Sequence, residues 1–189
     1  MGHIKGKRFA GILAVGLLAT AGTGVAMAQG GISANLALSN TIFSQQVSGL
    51  DGEGAAIFVG TDKLRDSDVA VSKLKFKKAQ VTDLCMAAPV KLPGLGDKKF
   101  QMKVPGQNFS ADNLVIGAPG LNGGMTLVKP QIGVDASQLD SNAQPGQWGI
   151  SASEIHAFDQ KIKATSISAD KLTAAGSQVS VVDASKADC

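Results

Sequence analysis

Short runs of alternating apolar and polar residues recur along the chain after its first 28 residues, and they constrain the fold more than any other feature. Alternation with a period of two places the apolar side chains on one face of a β-strand. Gly, Pro, Asn, Asp or Ser bounds each run, and these residues are typical of turns. No window of 11 residues has helical spacing, and the best helix candidate is the short, charged segment 61–68. We therefore predict an all-β fold, with strands at residues 69–71, 74–76, 100–104, 125–127, 132–134, 148–150, 162–165 and 179–181.

A six-residue pattern of apolar residue, Ser, Ala, Asp, any residue and Leu occurs at 109–114 and 167–172. Looser copies lie at 134–139 and 150–155, and a shorter one at 32–36. A small Ala followed by Asp or Ser inside a strand is typical of a corner. The repeats are compatible with a β-solenoid-like stack of short strands, with successive strands of a curved sheet, or with a common turn tripeptide in a Ser- and Ala-rich chain.

The first 28 residues have the three parts of a secretory signal peptide. Lys5, Lys7 and Arg8 precede an apolar stretch over 9–25, and residues 26–28 read Ala-Met-Ala. We predict a signal helix over residues 1–28, cleaved before Gln29, and a single β-rich domain over residues 29–189. A retained membrane anchor is the alternative. The protein is thus expected to be exported, as an extracellular or cell-envelope protein.

The chain has two cysteines, Cys85 and Cys189. In an oxidising compartment, one disulfide is the expected state of such a pair. The bond would pin the final residue, whereas the alternatives are an intermolecular bond or buried free thiols.

Charge and aromatic content argue against a nucleic-acid-binding protein. The formal net charge is +3, and it comes entirely from the basic residues of the predicted signal peptide. Aromatic residues form 4% of the chain, which leaves few rings on which bases could stack.

Lysines concentrate between residues 73 and 103. Lys73, Lys75 and Lys77 alternate with Leu74 and Phe76, which predicts a strand with one apolar and one lysine-lined face. Such a face suits an anionic partner, such as a lipid headgroup or an envelope polymer. Alternatively, the lysines protect an edge strand against aggregation.

The residue inventory offers little for catalysis. His156 is the only histidine outside the predicted signal peptide, and Ser151, His156 and Asp159 are the nearest approach to a hydrolase triad. The sequence has no P-loop, calcium-loop or zinc-ligand spacing. We therefore expect no enzyme activity, no metal and no cofactor, and we place His156 partly exposed on a strand beside Glu154.

Several short segments occur in the order typical of a family of uncharacterised exported actinobacterial proteins of similar length. The chain resembles that family in residues 47–54, 83–85, 110–116, 135–139 and 145–149, and in its closing Cys189. Some members carry the label "cholesterol esterase", which the residues of this chain do not support. The repeated short strands are also similar to those of envelope lipid carriers built from long curved sheets.

The leading hypothesis is a non-enzymatic exported cell-envelope protein that binds lipid or another apolar ligand in a groove of its sheet. One alternative is a structural surface protein that self-assembles into a homo-oligomer through its sheet edges. The other is a lipid or sterol esterase. The candidate apolar contacts are Leu74, Phe76, Phe100, Met102 and Phe109, and the candidate headgroup contacts are Lys75, Lys77, Lys98 and Lys99.

Overall fold

Twelve β-strands make up most of the structure, a computed structural model that describes residues 34–36, 41–64, 67–91, 96–186 and 189. The described part contains no α-helix and two short 3-10 helices, Ala136–Gln138 and Ala184–Lys186. The predicted all-β fold is therefore confirmed. The strands are β1 (Ala34–Leu36), β2 (Phe43–Leu64), β3 (Ser67–Thr82), β4 (Leu84–Lys91), β5 (Asp97–Val104), β6 (Phe109–Ala118), β7 (Gly120–Val128), β8 (Gln131–Asp135), β9 (Trp148–Ala164), β10 (Ser166–Ala169), β11 (Lys171–Ala174) and β12 (Gln178–Asp183).

All twelve strands belong to one antiparallel sheet. Its main order is β1-β10-β6-β3-β2-β4-β5-β12. Strand β2 also pairs with β9, which in turn pairs with β7 and β8, while β11 pairs with β6. Because every pair of described strands is antiparallel, the repeats belong to a curved sheet and not to a β-solenoid, one of the two architectures expected from them.

In two places, consecutive strands of the chain pair with the same neighbouring strand in one continuous register. Gly49 of β2 lies opposite Thr82 of β3, and Gln46 lies opposite Cys85 of β4 in the same register. Strands β10 and β11 likewise run along β6 without a shift. The breaks between such strands are therefore local corners.

The 22-residue strand β2 shows how strongly the sheet curls. Near its start, Phe43 pairs with Ala164. Near its end, the Asp62 carboxylate accepts hydrogen bonds from the hydroxyls of Thr165 at 2.5 Å and Ser166 at 2.7 Å. Both ends of the strand thus meet the same short segment, and the sheet curls strongly while staying open.

Corners are visible in the burial pattern of the strands. At each corner the alternation of inward-facing and outward-facing side chains is shifted by one residue. In β2, Val47 and Leu50 are buried three positions apart instead of two. Asp83 and Asp159 lie level with Ser48 on the two neighbouring strands, with φ of 52° and 51°. Asp tolerates this left-handed backbone better than most residues, since its short side chain bonds locally.

A second line of corners crosses the sheet six residues further along β2, at Gly54. Gly54 has φ of 58°, and Asn113 of β6 has φ of 51°. The Asn113 side-chain amide donates to the Asp170 carboxylate at 2.6 Å. Asn113 and Asp170 belong to the repeats at 109–114 and 167–172, so the structure bends where the Ser-Ala-Asp pattern predicts corners.

The core fills the inside of the curl. The alanines of the four six-residue copies are all buried, Ala111, Ala152 and Ala169 in this core and Ala136 in the loop that follows β8. The largest side chains that are almost completely buried are Phe43, Phe76, Leu114, Ile116, Ile155, Val81 and Val104.

A loop after β8 covers part of the outer face. Ala136 packs with Ala56 and Phe58 of β2 in a second small apolar cluster. The Lys75 ammonium group donates to the Asp140 carboxylate at 2.7 Å and so ties this loop to β3.

Two expectations have different outcomes. The segment 61–68, the best of the weak helix candidates, forms strands, as the all-β prediction requires: residues 61–64 end β2 and residues 67–68 begin β3. A charged segment at the end of a long hairpin has no apolar face on which a helix could pack. The predicted signal helix over residues 1–28 lies outside the described residues.

Candidate functional site

The structure divides the predicted ligand contacts into two groups. Leu74, Phe76 and Phe109 are buried members of the main core. On the outer face of β3, Lys75 binds Asp140, while Lys77 is exposed. The predicted apolar and lysine-lined faces of β3 are confirmed, but its apolar face is covered by the core.

Phe100 and Met102 occupy a different environment on β5, where both are partly buried. Met102 lies opposite Met86 of β4 and Val179 of β12. Opposite residues of an antiparallel pair share a face, so burial falls from Met86 in the core to Val179, which is 59% exposed. Phe100 lies in the same way between Ala88 of β4 and Val181 of β12. We call the six residues of these two rows the apolar strip: Met86, Ala88, Phe100, Met102, Val179 and Val181.

Lys98 and Lys99 begin the same strand. Lys98 lies opposite Asp183 of β12 and forms an ion pair with it. Hydrogen bonding and charge attraction from Lys98, assisted by Lys186, hold the pKa of Asp183 below its usual value. Lys99 lies opposite Val182. The structure thus keeps four of the predicted contacts, Phe100, Met102, Lys98 and Lys99, together on β5.

Gln45 of β2 is a buried polar residue that the sequence analysis missed. It lies opposite Met86 and Ile162 on the inner face and is only 4% exposed. Its side-chain oxygen has no hydrogen-bond partner among the described residues. An unsatisfied buried acceptor costs about 1–3 kcal/mol. The alternation of Phe43, Gln45 and Val47 was the available signal for its inward direction.

A polar groove of about 420 Å³ crosses the outer face between the two lines of corners. Its sides carry more acidic than basic groups, and Glu53 lies directly opposite Glu154, a like-charged pair. Gly52, Ala79 and Ala111 line it together with the polar residues Asp51, Glu53, Lys78, Gln80, Ser110, Asp112, Glu154 and His156.

His156 is half-exposed in this groove, beside Glu154 as predicted. Its Nδ1 lies 2.7 Å from a carboxylate oxygen of Asp51 on the neighbouring strand. The hydrogen bond to Asp51 raises the pKa of His156 above 6.5, and the charges of Asp51 and Glu154 act in the same direction.

The three residues of the conceivable hydrolase triad have separate partners. The Ser151 hydroxyl donates to the Gln131 side chain at 3.3 Å, and His156 faces Asp51. Asp159 lies at a corner. Among the described residues, no hydrogen bond joins Ser151 to His156 or His156 to Asp159.

A disulfide joins Cys85 and Cys189, as the cysteine count predicts. Their Cα atoms are 5.9 Å apart, and 104 positions separate them in sequence. Cys189 is buried, and the side-chain amide of Gln101 approaches its sulfur at 3.8 Å. The bond therefore holds the last residue against β4 and β5.

Neither a metal centre nor a membrane-spanning helix is evident in the part of the chain that the structure describes. No group of three potential His, Cys, Asp or Glu ligands converges there. None of its helices is long and apolar enough to cross a bilayer.

These observations define an all-β protein with a curled open sheet, an apolar strip and a polar outer groove. The chain belongs to a family of unknown function, DUF6230, whose model matches residues 39–189. The resemblance to an uncharacterised family is confirmed at this level, whereas the actinobacterial origin stays a prediction. No curated protein and no solved structure matches the chain.

Proposed function

We propose that this protein is a non-enzymatic, exported cell-envelope protein that binds a lipid along the apolar strip. The main support for this proposal is that the apolar inner face of the sheet continues without interruption from the core to the exposed strand β12. Met86 and Ala88 are buried, Met102 and Phe100 are partly buried, and Val179 and Val181 are more than half exposed. An acyl chain laid along the strip would cover apolar area that water contacts in the free protein.

The lysines of β5 suit the other end of such a ligand. Lys98 shares the face of Phe100 and Met102, since all three are at even positions of one strand. Lys99, the next residue, points to the opposite face by the same alternation, so Lys98 is the ammonium group of β5 that lies at the start of the strip. An anionic headgroup placed there would compete with Asp183 for Lys98 and gain a charge-assisted hydrogen bond.

Export is supported by the cysteine chemistry. A disulfide is typical of oxidising compartments outside the cytosol. The Cys85–Cys189 bond therefore fits a chain that carries the signal-like segment 1–28.

Native mass spectrometry of the protein from its own envelope fraction, followed by organic extraction, tests the lipid proposal. We expect an adduct that extraction removes and that is identified as a lipid. Phe100→Gln should lose most of the adduct, because it places a polar amide in the middle of the strip. Phe158→Gln is the matched control, since Phe158 is also an aromatic residue of a strand but is 53% exposed and lies on β9, away from the strip.

Two results would contradict the proposal. One is a wild-type protein without any extractable lipid. The other is an equal loss of lipid in Phe100→Gln and Phe158→Gln, because the strip would then have no special part in binding.

Self-assembly through sheet edges is the second candidate function. The observation that favours it is strand β12, whose first four residues are all exposed.

A further inference from the structure

Strand β12 ends the main path of the sheet. It pairs with β5 along all six of its residues, from Gln178 opposite Lys103 to Asp183 opposite Lys98, without a register shift. No other described strand pairs with it. Its outer edge therefore presents a straight row of backbone donors and acceptors.

The edge formed by β7 and β8 differs, because it carries devices that discourage pairing. Its register with β9 shifts between Asn122 and Gly124 and again between Ile132 and Val134. Lys129 with φ of 49° and Pro130 also interrupt it. Bulges, Lys and Pro are common protections of exposed sheet edges.

Strand β12 lacks all of these protections. Its sequence, Gln-Val-Ser-Val-Val-Asp, has no Gly, Pro or Lys, and its one charged residue is terminal. Val179 and Val181 are 59% and 57% exposed, although β-branched residues are those that gain most from a neighbouring strand. The contrast between the two edges indicates that β12 is suited to pairing.

We propose that β12 pairs antiparallel with β12 of a second copy of this chain, about a two-fold axis through Ser180 perpendicular to the sheet. Ser180 then lies opposite Ser180 of the second copy, and each Val179 lies opposite a Val181. Two valine pairs form on the inner face, where cross-strand β-branched pairs are favourable.

Charge and surface continuity support this register. Asp183 lies opposite position 177 of the second copy, which is a serine, so no like charges meet. Opposite residues keep to the same face in this register. The two apolar strips therefore join into one continuous inner surface.

Sedimentation velocity and native mass spectrometry of the full chain test the dimer. We expect a dimer for the wild type. Ser180→Lys places two ammonium groups directly opposite each other, and it should raise the dimer dissociation constant by roughly fivefold or more. Ile132→Lys is the matched control and should leave the dimer unchanged, because Ile132 is 68% exposed but lies on β8.

A cross-link tests the register itself. In Ser180→Cys the two new thiols would be directly opposite, with Cα atoms about 4.5–5.5 Å apart, a separation that a disulfide can span. We expect oxidation to give a covalent dimer for Ser180→Cys and none for Ile132→Cys. A monomeric wild type, an unchanged dimer in Ser180→Lys, or equal cross-linking of the two cysteine variants would overturn the proposal.

The dimer and the lipid proposal can fail separately. Phe100→Gln changes an internal strand, so it should lose lipid and stay dimeric. Ser180→Lys leaves the valines in place, so its monomer should keep the lipid adduct. A lipid-bearing monomeric wild type would refute the dimer alone, and a lipid-free dimer would refute lipid binding alone.

Discussion

Gly52 lies in one of the tightest places of the core, and Gly52→Ala is the sharpest test of the packing described above. A Cβ at this position would lie 2.5 Å from Cδ1 of Phe76 and 2.9 Å from Cγ2 of Ile155. Both neighbours are almost completely buried, so neither ring nor methyl group can move aside without displacing other core residues.

The expected loss follows from two opposing effects. Overpacking a closed core costs about 1–3 kcal/mol. Replacing Gly by Ala inside a strand returns about 0.5–1 kcal/mol, since Gly loses more backbone entropy on folding. We therefore expect Gly52→Ala to lower the free energy of unfolding by roughly 1–2 kcal/mol.

Urea unfolding followed by far-ultraviolet circular dichroism measures this change. With a urea dependence of about 2 kcal/mol per molar, the midpoint should fall by roughly 0.5–1 M. Gly120→Ala is the matched control, because no heavy atom lies within 4 Å of its added Cβ, and its midpoint should stay or rise slightly. Equal midpoints for wild type and Gly52→Ala, or equal losses in both variants, would refute the packing argument.

Three further predictions concern other contacts. Replacing Cys85 and Cys189 by Ser should lower the free energy of unfolding by up to about 4.7 kcal/mol, because the disulfide restricts the entropy of the unfolded chain. Urea unfolding with the wild type as control measures this loss, and a loss below about 1 kcal/mol would contradict the prediction. The pKa of His156, measured by NMR, should exceed 6.5 and should fall in Asp51→Asn. Because the folded-state pKa is raised, the contact with Asp51 stabilises the protein at pH below 6.5, and this stabilisation is lost as the pH rises through the folded-state pKa. An unshifted pKa in both proteins would refute the contact. Asp83→Ala should lower the melting temperature because it strains a left-handed residue and removes the acceptor of the Gly106 N–H, whereas Asp83→Asn should lower it clearly less. Thermal unfolding of the two variants measures this difference, and equal losses would contradict the explanation.

The sequence predicts the strands well because alternation is a local property. The runs at 74–76 and 100–104 lie in β3 and β5, and Leu74 and Phe76 point to the core as expected. The corners were also visible, since a left-handed residue such as Asn113 follows the Ser-Ala-Asp pattern. The strands at residues 61–64 and 67–68 were not predicted, because the charges of that segment do not indicate the long hairpin to which it belongs.

The candidate site was predicted only in part, since exposure depends on strand order. Phe76 and Phe100 have similar local patterns, yet β3 lies in the middle of the sheet and β5 lies next to its edge. Val179 completes the strip through its register with Met102, and the pairing of β12 with β5 joins segments far apart in the chain. No local pattern specifies such a pairing.

The long central strand β2 has a consequence for the order of folding. One of its edges pairs with β3, the next strand in the chain, but the other must wait for β9. Asp51 and His156, which face each other across that second edge, are 105 residues apart in sequence. Closing so large a loop is slow, and folds dominated by such contacts typically form in milliseconds to seconds. A newly made chain therefore carries a half-paired β2, and during this interval it is most exposed to proteases and to aggregation.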